Sequence, residues 1–266
     1  MEARSASCFV ILLEAGEQYQ FEPTTYLTHG IVFTNISSLL LLHLLGCRLA
    51  RACLGDGSWK GQGGESIRVT DHVRALITLG SVHKPPEGSA ASSCATRGAL
   101  AFTASRFPGA FLAKQGIQYI SIGGNAIKVK LTDVNKNKKR SSQTSSSLRT
   151  VRSIYAAVSG RSGQLVGDGV VPLEWSLLDG SHNIVLDGVV HSIHDHGMQD
   201  SVSRWYGSEN VVDRWLLDAL GKIGIEANTN GKKEMRRQHP PPPAATAIRR
   251  VIMSLLQQYQ YSWGLH

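Results

Sequence analysis

Cysteine is scarce. Cys8, Cys47, Cys53 and Cys94 are the whole complement of 266 residues, and no two form a C-x-x-C pair. A disulfide scaffold and a structural zinc motif of ordinary spacing are therefore not expected. Charge is thin as well, at 18% Asp, Glu, Lys and Arg, against ~25% in an average globular chain. No Gly-X-Y period or sustained heptad is present, which excludes collagen and a coiled coil, and 42% hydrophobic residues exclude global disorder. Nor is there an uninterrupted run of the ~20 apolar residues that span a bilayer. The nearest stretch, Ile31–Cys47, contains Thr34, Asn35, Ser37, Ser38 and His43, so a membrane anchor is not expected. The glycine-rich Gly55–Gly64 lacks the G-K-[ST] of a phosphate-binding loop and leaves no clear strand.

What is present suits one large domain or two small ones, long enough to bury a substantial core. The net charge of +8 is gathered in two runs. Lys128, Lys130, Lys136, Lys138, Lys139 and Arg140 lead into Ser141–Ser147, and Lys232, Lys233, Arg236 and Arg237 precede Pro240–Pro243. Neither run is interleaved with aromatics on which bases could stack, so both are expected to be solvated loops, and no nucleic-acid partner is expected.

Short β-branched runs predict buried strands at Val73–Leu79, Gln118–Ile122 and Asn183–Leu186. Apolar residues at helical spacing predict helices over Leu148–Val158, over Val211–Leu220 with Ser208 as N-cap, and over Ala247–Gln258. Arg48–Leu54 is compatible with a helix, and Ala91–Phe107 is weakly helical. Strands alternating with helices give the fold class α/β with a mostly parallel sheet. The expected organisation is an atypical segment over 1–47, the α/β part over 48–221 with a basic, Ser-rich insertion at 128–150, and an atypical, disordered tail over 222–266. Residues 1–30 carry Glu2, Glu14, Glu17 and Glu22 and do not resemble a transit peptide, so the location stays open.

Chemistry in a parallel sheet gathers beyond the C-terminal ends of its strands. Two segments there attract notice. Gly167-Asp168-Gly169-Val170-Val171-Pro172 sets a carboxylate between two glycines, and Leu186-Asp187-Gly188-Val189-Val190-His191 places an imidazole a few residues past a strand. Asp followed by His is the closing order of a Ser…Asp…His triad. In such a triad the carboxylate fixes the imidazole tautomer and the imidazole takes the proton of the nucleophile.

With these residues in place, ITLGSVHKPPEG, GDGVVPLEWSLLDG, NIVLDGVVHS and WYGSENVVDRWL together resemble plant lipase-like proteins of the α/β-hydrolase superfamily, distantly related to GPI inositol-deacylase-like and other serine esterases. The resemblance runs from about Leu49 to Leu220. It implies Asp168 as catalytic acid, His191 as catalytic base, and a small-molecule or lipid ester as substrate. It implies no cofactor and no metal. Plant relatives of this kind are often associated with the chloroplast. It also implies that Trp205-Tyr206-Gly207-Ser208 precedes a helix resting on the sheet.

The sequence departs from that pattern at the nucleophile. The family places its serine in a Gly-His-Ser-x-Gly-Gly elbow directly before a helix that matches Arg48–Leu54, and no G-x-S-x-G occurs in this chain. Gly160-Arg161-Ser162-Gly163-Gln164 is the nearest approach, with the wrong spacing. The strands that precede the elbow are not recognisable in residues 1–47 either. The expectation is a truncated or altered hydrolase, inactive or nearly so; the alternative is a non-catalytic binding protein of the same fold. Cys47 is the local candidate for a substitute nucleophile. His191, His194, Asp195 and His196, with Asp200 near, match no metal-ligand spacing. A sheet without its central strands leaves an edge of unpaired backbone groups and a tendency to aggregate, unless residues 8–47 supply a strand, for which Phe9–Leu13 is suited. Nothing in the sequence indicates an oligomeric state.

Overall fold

The computed structural model describes residues 9–14, 31–34, 39–43, 46–56, 58–60, 66–68, 70, 73–88, 96, 98–131, 146–191, 201–224, 249–250 and 252–253. Its strands are β1 (Phe9–Glu14), β2 (Ile31–Thr34), β3 (Leu39–His43), β4 (Ser58–Lys60), β5 (Ser66–Arg68), β6 (Val73–Leu79), β7 (Gln118–Gly124), β8 (Ile127–Leu131), β9 (Gly163–Gly167) and β10 (His182–Leu186). Its helices are α1 (Gly46–Asp56), α2 (Ala99–Arg106), α3 (Ser146–Ser159), α4 (Leu173–Ser176), α5 (Ser201–Arg204) and α6 (Glu209–Lys222).

The main sheet has six strands in the order β10-β7-β6-β1-β3-β2. The β10–β7 and β7–β6 pairs are parallel, as the α/β reading requires. The other half differs from the expected parallel sheet, because the β6–β1, β1–β3 and β3–β2 pairs are all antiparallel. Phe9–Glu14 thus covers the edge that β6 would otherwise expose, with Ile11 opposite Ile77 on one side and Leu41 on the other.

Strand β6 is apolar nearly throughout because both of its faces are covered. On one face Ala75, Ile77, Leu79, Ile120 and Ile122 meet Val211, Val212, Trp215, Leu216 and Ala219 of α6. On the other, Leu76 and Tyr119 meet Ala50 and Leu54 of α1, together with Leu178. Helices therefore flank both faces of β6 and β7, which is α/β layering. Strand β10, expected to be buried, is instead half-exposed at the sheet edge, with Val185 in solvent. Ile252 is buried in the α6 core, and Arg249 bonds to Glu209 and Asp213 of that helix.

Several local expectations change. Lys128–Leu131 is not loop but the greater part of β8, which pairs antiparallel with β9. Its alternation puts Ile127, Val129 and Leu131 on Val151 and Tyr155 of α3 and leaves Lys128 and Lys130 in solvent. Period-2 alternation marks a half-buried strand, a signal masked by the lysines. Residues 132–145 lie outside the described residues. Ser58–Lys60 of the glycine-rich stretch forms a short hairpin with β5. Ser208 stands at the N-cap of α6, but its side chain makes no capping bond. Its Oγ instead donates to Val202 O and accepts from Trp205 N–H, tightening the turn before the helix. Among the described residues no helix is long and apolar enough to cross a membrane.

Candidate functional site

Strand β9 ends at Gly167, and a bridge from Gly167 to Pro172 closes a tight turn that carries Asp168. The turn is held by its own carboxylate. Asp168 Oδ1 accepts the N–H groups of Val170 at 3.0 Å and Val171 at 2.7 Å, an Asx-type arrangement that replaces missing backbone partners. Gly169, at φ +106°, supplies the backbone conformation this requires. Tyr155 of α3 accepts the Gly169 N–H through its hydroxyl, tying the turn to the neighbouring layer.

His191 follows β10 after a turn at Asp187-Gly188. Its backbone N–H donates to Asp168 O at 2.9 Å, and Val190 is bridged to Trp205. Its Nδ1 lies 2.8 Å from Asp168 Oδ2, and the two side chains are only 2% and 1% exposed. The two residues are 23 positions apart in sequence and meet twice, once through backbone and once through side chains. With Nδ1–H donated to the carboxylate, Nε2 carries the basic lone pair.

A third group completes the cluster. Tyr206, fully buried, donates its hydroxyl to the same Asp168 Oδ2 at 2.9 Å and accepts the Gly124 N–H at 2.6 Å. Its ring stands edge-on to the His191 imidazole with centroids 6.2 Å apart. Burial, then the Asp168 charge, pushes the Tyr206 phenol well above its ordinary range, so it remains a neutral donor. Asp168 thus receives four donors, two on each oxygen, which is what keeps a buried carboxylate tolerable.

Three parallel strands converge here by their C-terminal ends: β6 through Gly80, β7 through Gly124 and β10 through the turn to His191. Both glycines are required. A Cβ at Gly80 would lie 2.7 Å from Asp168 Oδ2 and 3.0 Å from His191 Nδ1, at a backbone φ of +56°. A Cβ at Gly124 would meet the Val189 carbonyl oxygen.

The structure therefore brings together Asp168 and His191, the two site residues named from sequence, and adds Tyr206, Gly80 and Gly124. Gly80 was legible only as the end of a strand, and Tyr206 only as part of the segment before a helix. The other candidates do not join the cluster. Cys47 lies in the first turn of α1, and its side chain is not among those described; His194, Asp195, His196 and Asp200 fall outside the described residues. Among the described residues no group of three or more His, Cys, Asp or Glu could hold a metal ion. Strand β3 runs toward α1 through the sequence His43-Leu44-Leu45-Gly46-Cys47, which contains no hydroxyl side chain.

A second buried polar group lies on the opposite face of the sheet. His83, 2% exposed, contacts Thr78 Oγ1 at 3.0 Å through Nε2, and its Nδ1 has no hydrogen-bond partner among the described residues. Arg51 of α1 reaches the carbonyls of His83 and Phe107. Burial, then the Arg51 and Lys84 charges, pulls the His83 imidazole down to about 3.

Comparison with protein-family models, with curated proteins and with solved structures gives no match.

Proposed function

We propose that this chain is a partial α/β-hydrolase that keeps the acid and base of an ester-hydrolysing site and lacks its nucleophile. The observation that carries the reading is the buried 2.8 Å contact between His191 Nδ1 and Asp168 Oδ2 at the C-terminal ends of the sheet's three parallel strands. An imidazole oriented in this way is the general base that a serine alcohol needs, because the carboxylate fixes the tautomer and stabilises the imidazolium. The same pairing would serve acyl transfer to water from a small-molecule or lipid ester, and that chemistry needs no cofactor.

The missing piece is equally specific. A nucleophile elbow is a strand-to-helix turn that exposes Oγ, with the next backbone N–H stabilising the oxyanion. The only sequence between β3 and α1 is Leu44-Leu45. With no serine at that connection, the chain is expected not to turn over esters. The alternative, a binding protein of this fold, shares the same pair without the reaction. A short-chain ester assay tests the reading. Wild type is expected to hydrolyse no faster than His191→Ala or Asp168→Ala, and a wild-type rate that both substitutions abolish would contradict it.

A further inference from the structure

Tyr206 is the one ionisable side chain besides His191 that bonds to the Asp168 carboxylate among the described residues. We infer that Tyr206 is a positioning residue for this pair, setting the basicity of the His191 imidazole through the carboxylate oxygen that the two share. The inference deepens the reading above and rests on its acid–base pair, but not on the presence of a nucleophile.

The hydrogen-bond directions decide the role. The Gly124 N–H points at the phenol oxygen, so the phenol proton is directed to Asp168 Oδ2. Oδ2 then divides its charge between a neutral O–H and the imidazole N–H, while Oδ1 is occupied by the Val170 and Val171 amides. A hydrogen bond to a carboxylate withdraws negative charge and lowers its proton affinity. With the phenol in place, Asp168 holds an imidazolium less strongly than it would alone. Its edge-on ring also limits how far the imidazole can tilt. The ionisable groups around the carboxylate, among the described residues, are His191, Tyr206 and Tyr155, which acts at one remove through the Gly169 amide.

A purely structural tyrosine would change stability and leave the histidine titration alone, so the test reads His191 directly. The full chain, labelled with 15N-histidine, is followed by NMR across pH as wild type, Asp168→Asn, Tyr206→Phe, and with site-specific 3,5-difluorotyrosine at 206. Tyr206→Phe is expected to raise the His191 midpoint by about 0.5 pH unit or more. The fluorinated phenol, a stronger donor of nearly the same shape, is expected to lower it, and this isosteric variant keeps the test open where Phe fails to fold. Asp168→Asn must also move the midpoint. If it does while neither Tyr206 variant has any effect, the role of Tyr206 is overturned and the pair survives. If Asp168→Asn leaves His191 unchanged, the pair itself is wrong and the proposed function falls with it.

Discussion

Asp168 is built as an acceptor on both oxygens, and that makes its chemistry hard to replace. In Asp168→Asn one side of the carboxamide presents N–H to two groups that are themselves donors. Leaving buried donors unsatisfied costs ~1–3 kcal/mol each, so a loss of roughly 2–4 kcal/mol in denaturant unfolding is expected, with the His191 tautomer no longer fixed. Gly80→Ala attacks the same cluster from the backbone side. The residue sits at φ +56° and a methyl there reaches Asp168, Tyr206 and His191. The combined strain and clash are expected to lower stability by about 2 kcal/mol or more, visible as a fall in the urea midpoint. His83 gives a pH prediction of definite sign. Its folded value of about 3 lies below the ordinary 6.5, so the unfolded chain binds the proton more tightly between these limits. Stability from this site is complete above pH 6.5 and is lost as pH falls toward 3, by an order of a few kcal/mol. Thermal melts from pH 7 to pH 4 should therefore fall, and more gently in His83→Asn. Asp168 and His191 are readable in sequence because Asp168 sits between two glycines and His191 follows the Asp187-Gly188 turn after a short apolar run. Tyr206 and Gly80 were not, because a phenol before a helix and a glycine after a strand carry no mark of what a distant segment will bring against them.

Strands β6 and β7 and helices α3 and α6 follow from periodicity and β-branched content, whereas β10 is found where expected but is half-exposed rather than buried, with Val185 in solvent. Strand β9 escaped notice because Gly163-Gln164-Leu165-Val166-Gly167 is too short and too glycine-flanked to stand out until β8 is paired with it. Strand β1 was anticipated as a possible cover for the open edge, but its direction was not fixed by an apolar run that could pair either way. Its seat gives an element-level prediction. Ile11 has a strand on each side, and Pro there removes a ladder donor, leaving a buried partner unsatisfied at a cost of ~1–3 kcal/mol. Ile11→Pro should lower amide-exchange protection at Leu76–Leu79 of β6. Unchanged protection would mean that β1 does not cover this edge.

Across the whole molecule, the half of the sheet that carries the candidate site is parallel, whereas the half formed by β1, β3 and β2 is antiparallel. The β6–β1 pairing explains how three parallel strands coexist with a chain that lacks a recognisable elbow: an antiparallel strand occupies the position beside β6. Hydrolase ancestry remains a proposal, carried by the Asp168–His191 contact. Charge is distributed as unevenly as structure. Residues 128–152 carry eight Lys and Arg against the single acidic Asp133, so most of the net +8 lies in one stretch of sequence. The central proposal is that the His191–Asp168 pair has no elbow serine to act on, because no G-x-S-x-G occurs in the sequence. Labelling the full chain with a fluorophosphonate, followed by peptide mass spectrometry, tests it most directly: the account predicts no stoichiometric adduct on any serine, and an adduct on one serine that disappears in His191→Ala would contradict it.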